Sequence, residues 1–199
     1  MKEVKIISLS GNIKAGKSTI AKLATKQFGY KQFMLAAIPK EIVCRVNGIT
    51  LEYLEDRKNK EKYRQEIIDY AEKLKEVNIF IFCEDVYHLI LEDLASNNPT
   101  YKYLVVDMRF PFEFSYFKKI ARCGKSACCE ATYVGIPGYE VSYKSLYIES
   151  DLANKSSKSD SESHYDYFKR NKDGVIFNGT EQRYSRDNLD LINQLVKFI

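Results

Sequence analysis

The chain has 199 residues, of which 45% are hydrophobic and 29% charged, and its formal net charge is +4. This length fits one domain with a sizeable core, and the mild charge suits small anionic ligands but not a nucleic-acid-binding protein. No apolar stretch is long enough to cross a bilayer, and no signal sequence precedes the first predicted strand. We therefore expect a cytoplasmic protein that binds neither nucleic acid nor membranes, and a homodimer is left open.

The amino end carries a phosphate-binding loop. Residues 11–18 read Gly-Asn-Ile-Lys-Ala-Gly-Lys-Ser, which matches the pattern G-x-x-x-x-G-K-[ST]. An apolar run at residues 4–9 predicts a buried strand before the loop, and helical spacing of apolar residues follows it. A strand, a Gly-rich turn and a helix direct backbone N–H groups at an anion. The predicted ATP-binding residues of this segment are Gly11, Asn12, Ile13, Lys14, Ala15, Gly16, Lys17, Ser18 and Thr19.

Two residues of this loop have predicted chemical roles. Lys17 would lie along the β- and γ-phosphates of the nucleotide. Ser18 would offer its hydroxyl oxygen to Mg²⁺. The cofactors that the loop predicts are thus ATP and Mg²⁺.

Helices dominate the next part of the chain. Residues 33–37 could form a second strand or begin a helix, and both alternatives remain open. Residues 60–78 carry apolar side chains spaced by four and three, which predicts a long helix. A second helix is predicted over residues 79–96 and ends at the turn signal Ser-Asn-Asn-Pro.

An acidic residue follows the next apolar run. Residues 103–106 predict a buried strand, and Asp107 comes directly after it. At the carboxyl end of a parallel strand an acid faces the nucleotide crevice and can order Mg²⁺ through water. Phe110, Phe114, Phe117 and Ala121 follow with helical spacing, so Asp107 and Arg109 are predicted to lie in a strand-to-helix turn. The alternative is a surface turn in which the Asp only caps the helix.

The carboxyl-terminal part predicts further strands at residues 128–134 and 145–148. The polar segment from Tyr143 to Glu162 has few apolar residues and is predicted to be a mobile loop. A last strand is expected at residues 174–178 and a closing helix at 186–199. The alternation of strands and helices predicts one domain over residues 1–199, with a mostly parallel sheet in a three-layer α/β/α fold.

The five cysteines form no recognisable framework. They are scattered, odd in number and include no C-x-x-C pair. This excludes the usual zinc and disulfide patterns, and we expect reduced thiols that pack in an intracellular protein.

Several segments together resemble the deoxynucleoside monophosphate kinases of phage and viral type, within the P-loop nucleoside monophosphate kinase fold. The most discriminating are Asp-Met-Arg-Phe-Pro at residues 107–111, followed by Glu113, and Val-Ile-Phe-Asn-Gly-Thr at residues 175–180. Further similar segments are the phosphate-binding loop, residues 37–40, residues 60–64 and residues 161–162. The resemblance implies transfer of the ATP γ-phosphate to a deoxynucleoside monophosphate, which gives a diphosphate.

The resemblance also implies roles on the acceptor side. Arg109 looks like the family residue that grips the acceptor phosphate, because guanidinium forks suit phosphate oxygens. Lys40 and Arg64 fall in segments similar to the acceptor-binding region, about residues 33–96. Tyr63 or a neighbouring aromatic residue could stack on the acceptor base, although helical spacing also fits a core position.

On the ATP side, Lys14 occupies a loop position at which thymidylate kinases often carry an arginine aimed at the transferring phosphate. Asn178, Gly179 and Thr180 would form the loop under the adenine. The polar segment at about residues 143–165 corresponds to a lid. It offers lysines but no arginine, which departs from the usual pattern of monophosphate kinases.

Two other readings remain open. One is a different small-acceptor kinase on the same fold, such as a phosphomevalonate kinase. The other is a nucleotide-binding scaffold with little turnover. A GTPase is disfavoured because the run Asn-Lys-Asp-Gly at residues 171–174 ends in Gly where the guanine-binding motif needs Asp.

Overall fold

The computed structural model describes residues 2–12, 15–123, 135–150, 164–179 and 189–199. Their elements, in chain order, are β1 (Lys2–Gly11), α1 (Lys17–Phe28), β2 (Lys31–Met34), α2 (Ala37–Asn47), α3 (Leu51–Glu55), α4 (Arg57–Lys62), α5 (Arg64–Val77), α6 (Ile81–Ala95), β3 (Lys102–Val106), α7 (Pro111–Cys123), β4 (Tyr139–Glu149), α8 (Tyr165–Asn171), β5 (Gly174–Phe177) and α9 (Leu189–Val196).

The described strands form one parallel sheet in the order β2-β3-β1-β4-β5. Strand β1 is central, and its Ile7 is paired with Leu104 of β3 on one side and Lys144 of β4 on the other. The carboxyl ends of parallel strands share one edge, and ligands bind where the strand order reverses. The carboxyl ends of β1, β3, β4 and β5 therefore border a common crevice beside β1.

Helices cover both faces of the sheet, which confirms the predicted α/β fold. Alternate residues of β1 point to opposite faces. Val4 and Ile6 join a core that includes residues of α6, α7 and α8. Ile7 and Leu9 join a second core with residues of α1 and α9.

A third, smaller core lies among helices α2, α3 and α5. Its buried members are Val43, Cys44 and Leu54, and partly buried aromatic and aliphatic side chains pack against them. Tyr63 is one of those packing residues, so its ring contributes to this core. The helical spacing of Tyr63 is thus explained by packing.

Two expectations about the elements need correction, and a third, which left two alternatives open, is resolved. The helix predicted over residues 60–78 is two helices, because α4 ends at Lys62 and α5 begins at Arg64. The predicted lid cannot begin at residue 143, because residues 139–149 form strand β4 inside the sheet. Residues 33–37 contain both the end of a strand and the start of a helix, since β2 ends at Met34 and α2 begins at Ala37.

Other predictions fall on parts of the chain that the structure leaves out. One is the strand predicted at residues 128–134, and the other is the part of the candidate lid at residues 151–163. Both segments lie outside the described ranges.

Helix α6 matches its prediction closely. Just before this helix begins, the Asn78 side-chain oxygen accepts a 2.9 Å hydrogen bond from Phe80 N. Within the described ranges no helix combines the length and the apolar character that a membrane span requires.

The expectation of reduced cysteines holds for two residues and is wrong for a third. Cys44 and Cys83 are free and buried. Cys123, at the end of α7, is disulfide-bonded. No spacing pattern in the sequence marks this residue for pairing.

Candidate active site

The phosphate-binding loop connects β1 to α1 at the carboxyl edge of the sheet. Gly11 ends β1 with a φ of +139°, and a Cβ there would come within 2.5 Å of the Ile148 carbonyl oxygen of β4. Gly16 has a φ of +91° and precedes the first turn of α1. Both positions thus require glycine. Ile13 and Lys14 lie outside the described residues.

The lysine of the loop folds back over its start. Lys17 Nζ donates hydrogen bonds of 2.7 Å to the Gly11 carbonyl oxygen and 3.1 Å to the Asn12 carbonyl oxygen. Ser18 and Thr19 follow in the first turn of α1, where Ser18 is exposed. The ammonium group and the Ser18 hydroxyl thus both belong to the rim of the loop.

Residues of β4 and of the segment after β5 form hydrogen bonds with the phosphate-binding loop. The Asn178 amide nitrogen Nδ2 donates a 2.8 Å hydrogen bond to the Ala15 carbonyl oxygen, and Tyr147 Oη is 3.0 Å from Asn12 Oδ1. Asn178 is fully buried, and its Oδ1 atom has no hydrogen-bond partner among the described residues. Asn178 therefore adjoins the loop, with its side chain directed at the loop backbone. The predicted role of Asn178 and Gly179 under the adenine remains a prediction. Thr180 lies outside the described ranges.

A small cleft of about 80 Å³ opens beside the loop, at the carboxyl ends of β4 and β5. Lys169 of α8 lies at this cleft and forms a 2.8 Å ion pair with Glu149 at the end of β4. The lining residues are Asn12, Tyr147, Ile148, Glu149, Ser150, Lys169 and Phe177.

Asp107 lies across the crevice from the loop, directly after β3. Its φ of +66° places a non-glycine residue in the left-handed region, which is uncommon and often marks a functional turn. Burial alone would raise the pKa of the Asp107 carboxyl, but the positive charges of Lys17 and Arg109 lower it. Lys40 and Lys60 act in the same direction more weakly. The carboxyl is thus held ionised by four surrounding cations.

Arg109 projects from the same turn, and a buried carboxylate holds its backbone. Glu113 Oε2 accepts hydrogen bonds of 2.7 Å from Arg109 N and 3.0 Å from Phe110 N. The guanidinium group is partly buried and has no hydrogen-bond or ion-pair partner in the described part of the chain. It is therefore suited to bind an anion.

A carboxylate from α3 joins two lysines on the acceptor side. Glu55 Oε1 is 2.7 Å from Lys40 Nζ, and Glu55 Oε2 is 2.9 Å from Lys60 Nζ. Lys40 is buried, with 4% of its side chain exposed. Burial favours the neutral form of Glu55, but hydrogen bonds from both lysines hold its pKa below the usual value. The structure therefore brings the predicted Lys40 to the site, together with Lys60 and Glu55, which have no predicted role.

Arg64 does not join this group. Its Nε and Nη2 atoms donate hydrogen bonds of 3.2 and 3.0 Å to the carboxylate of Glu61. Arg64 is not among the cations with the largest lowering effect on the pKa of Asp107. Arg64 is thus a paired residue at the start of α5, and its acceptor role remains a prediction.

An aromatic surface adjoins Arg109. The Phe110 ring is stacked on Phe112 at a centroid distance of 5.3 Å, and its centroid is 5.7 Å from the ring of His164. Lys75 Nζ of α5 lies 4.1 Å from the Phe110 centroid. Phe110 follows Arg109 directly in the chain, and the stacking role of Tyr63 or a neighbouring aromatic residue remains a prediction.

This arrangement suits phosphoryl transfer, which requires alignment and positive charge around the transferred group. No group of three or more His, Cys, Asp or Glu side chains that could hold a metal occurs among the described residues. Mg²⁺ requires only one or two carboxylates when phosphates supply other ligands. The ionised Asp107 and the exposed Ser18 hydroxyl fit that requirement.

The fold and this site define a P-loop kinase. A sequence model of the phosphomevalonate kinase family matches residues 9–123, which is more than half of the chain, and the chain belongs to that family. It is accordingly a phosphotransferase that acts on a small acceptor. The narrower resemblance to deoxynucleoside monophosphate kinases remains a prediction. Among curated proteins, none matches the chain significantly.

Solved structures with similar folds share little sequence with the chain. Dephospho-CoA kinase from Campylobacter jejuni is 15% identical, with a TM-score of 0.48 over 98% of this chain and 96% of that one. TT1252 from Thermus thermophilus is 17% identical, with a TM-score of 0.45 over 98% and 96%. Shikimate kinase from Aquifex aeolicus is 11% identical, with a TM-score of 0.41 over 96% and 94%.

Proposed function

We propose that the protein transfers the γ-phosphoryl group of ATP to the phosphate of a deoxynucleoside monophosphate, which gives a diphosphate. The observation that supports this proposal most is the convergence of Lys17 and Arg109 on Asp107. In this proposal ATP binds through the phosphate-binding loop on one side of the crevice. The acceptor phosphate binds to Arg109 on the other side.

The charge of the acceptor side supports a phosphate monoester as the acceptor. Glu55 neutralises one of the two lysines it contacts, so the trio with Lys40 and Lys60 carries a net charge of +1. The Arg109 guanidinium adds a second positive charge. A phosphate monoester carries about −1.5 to −2 charges at neutral pH, and these positive charges, which the ionised Asp107 offsets in part, would attract it.

The roles on the ATP side follow from the loop. Residues 11–19, including Ile13 and Lys14, would bind the triphosphate, with Lys14 near the transferring group. Asn178 and Gly179 would support the loop and the adenine. Ser18 and Asp107 would hold Mg²⁺, which when bound neutralises charge on the phosphate oxygens.

A deoxynucleoside acceptor also needs an aromatic surface near its phosphate site. Phe110 supplies partly buried ring surface directly after Arg109. Base–aromatic stacking contributes about 1–3 kcal/mol per base in single-strand binding proteins. The acceptor region in this proposal extends over residues 33–96. Its Lys40 and Lys60 face Asp107. The turn that carries Phe110, which follows β3, also belongs to the acceptor side.

Phosphomevalonate is the second candidate acceptor, and the family match favours it. It is also a phosphate monoester, so the charge argument applies to it equally. It has no base, so its binding would not need an aromatic surface.

A panel of acceptors separates these candidates. ADP production from ATP and Mg²⁺ would be measured with each deoxynucleoside monophosphate, each ribonucleoside monophosphate, phosphomevalonate and shikimate as a hydroxyl acceptor. We expect the largest kcat/KM with one or more deoxynucleoside monophosphates. Turnover of phosphomevalonate alone would replace the first proposal by the second. ATP binding without acceptor-dependent ADP production would contradict both and favour a nucleotide-binding scaffold.

A further inference from the structure

The carboxylate of Glu113 makes an unusual contact at the start of α7. One oxygen atom, Oε2, accepts hydrogen bonds from two successive backbone N–H groups, those of Arg109 and Phe110. A glutamate three residues into a helix can reach back in this way as half of a capping box. Glu113, however, is only 4% exposed, and burying a carboxylate is costly. Burial raises its pKa to about 7, against the opposing effect of these hydrogen bonds.

The two N–H groups belong to the turn that carries the acceptor-side residues. Asp107 adopts a φ of +66° just before them. A left-handed conformation is strained for a non-glycine residue, and it persists only where surrounding contacts fix it. The hydrogen bonds to Glu113 restrain the peptide groups of Arg109 and Phe110, two and three residues after this strained position. They therefore fix the direction in which Arg109 leaves the turn.

Neighbouring helices reach the same carboxylate. The positive charge of Lys75 on α5 acts on Glu113, and the Lys75 ammonium group lies over the Phe110 ring. Burial raises the pKa of the Cys83 thiol in α6, and the nearby charge of Glu113 raises this pKa further. Glu113 thus connects the turn after β3 to α5 and α6.

We propose that Glu113 is a positioning residue, whose hydrogen bonds to the backbone of Arg109 and Phe110 hold the Arg109 guanidinium in line with the acceptor phosphate. This inference rests on the proposed role of Arg109. The effect of Glu113 on acceptor binding then depends on the position of its oxygen atom rather than on its charge.

Two substitutions separate position from charge. Glu113→Gln removes the charge and keeps an oxygen acceptor in place for both N–H groups. Glu113→Asp keeps the charge and withdraws the oxygen by one methylene. Glu72→Gln, at an exposed position of α5, is the control for loss of a glutamate charge. Thermal unfolding would confirm that each variant is folded.

Steady-state kinetics then test the acceptor. For Glu113→Asp we expect the acceptor KM to rise by roughly tenfold or more, because small displacements of an aligning group have large effects. Its ATP KM should stay within about twofold of wild type. Glu113→Gln and Glu72→Gln should keep both constants within about threefold. An unchanged acceptor KM in Glu113→Asp, an equal rise of both KM values, or a Glu113→Gln variant that resembles Glu113→Asp would overturn the proposal.

Amide hydrogen exchange supplies a readout that does not depend on turnover. The amides of Arg109 and Phe110 should exchange faster in Glu113→Asp than in wild type and remain protected in Glu113→Gln. Unchanged protection in Glu113→Asp would contradict the positioning role even if kinetics changed. If the wild-type protein phosphorylates none of the acceptors in the panel, the proposed function is contradicted. The exchange experiment would still test whether Glu113 fixes the backbone of Arg109 and Phe110.

Discussion

Asn178 is linked to Ala15 by a 2.8 Å hydrogen bond that joins the end of the last strand to the phosphate-binding loop. The donor is the side-chain amide of a fully buried residue, and the acceptor is a backbone carbonyl of the loop. A second hydrogen bond of 2.8 Å, from Asn178 N to the Glu149 carbonyl oxygen, fixes Asn178 to β4. The shape of the loop therefore depends on a residue that is distant in the sequence.

Removing this link should weaken ATP binding. For Asn178→Ala we expect the ATP Kd to rise by roughly tenfold, because a buried hydrogen bond is lost and a loop carbonyl is left unpaired at a cost of about 1–3 kcal/mol. Asn171→Ala is a matched control, since Asn171 makes a similar 2.9 Å hydrogen bond to the Tyr167 carbonyl at an exposed position of α8. Calorimetric titration with ATP would measure both. An unchanged Kd in a folded Asn178→Ala variant would contradict the bracing role.

The pairing of Lys40 with Glu55 predicts a stability effect. Glu55→Gln leaves the buried ammonium group of Lys40 without its carboxylate, which is costly in a poorly solvated position. We expect the free energy of unfolding to fall by about 2 kcal/mol, moderated because Glu55 is 39% exposed. Glu52→Gln on the exposed side of α3 should change it by less than about 0.5 kcal/mol. Urea unfolding would compare them, and equal small effects would show that Lys40 does not depend on Glu55.

Asp93 predicts how stability depends on pH. Burial alone would raise the pKa of this carboxyl, but hydrogen bonds from Lys31, Thr100 N and the Tyr103 hydroxyl hold it at about 2, below its ordinary 3.8. A lowered folded-state pKa gives stability that is present above 3.8 and is lost as pH falls towards 2.

The comparison of wild type with Asp93→Asn measures this effect. The advantage of wild type in urea unfolding should shrink by roughly 1 kcal/mol between about pH 6 and about pH 3. The amide of the variant cannot ionise, so the variant lacks this contribution. A difference that stays constant across this range would show that the Asp93 pKa is not lowered in the folded protein.

Short contiguous patterns made much of the site predictable. The strand, the phosphate-binding loop and the following helix could be recognised because their residue types and spacing reflect local backbone geometry. The turn with Asp107 and Arg109 could be placed for the same reason, since an apolar strand ends just before it. These predictions required no knowledge of distant contacts.

The remaining features depend on contacts between distant segments. Glu55 and Lys60 join Lys40 only because α2, α3 and α4 fold against one another, and no spacing in the sequence encodes that pairing. The break at Tyr63 was missed because Tyr63 and Ile67 continue one apolar period across two helices. Strand β4 contains polar residues that suggested a loop. They fit within the sheet because Ser145 N donates to Asp173 and the Tyr143 hydroxyl contacts Ser8.

The central claim is that ATP and the acceptor phosphate occupy opposite sides of one crevice, the first on the loop of Lys17 and the second on Arg109. The most direct test compares Arg109→Ala with Lys17→Ala, measuring ATP Kd and acceptor kcat/KM in both. Arg109→Ala should keep the ATP Kd within about threefold and lower kcat/KM for the acceptor roughly a hundredfold or more. Lys17→Ala should lower kcat by orders of magnitude through lost charge stabilisation of the transferring phosphoryl group. An Arg109→Ala variant that loses ATP binding and acceptor use equally, or that retains full acceptor use, would contradict the account.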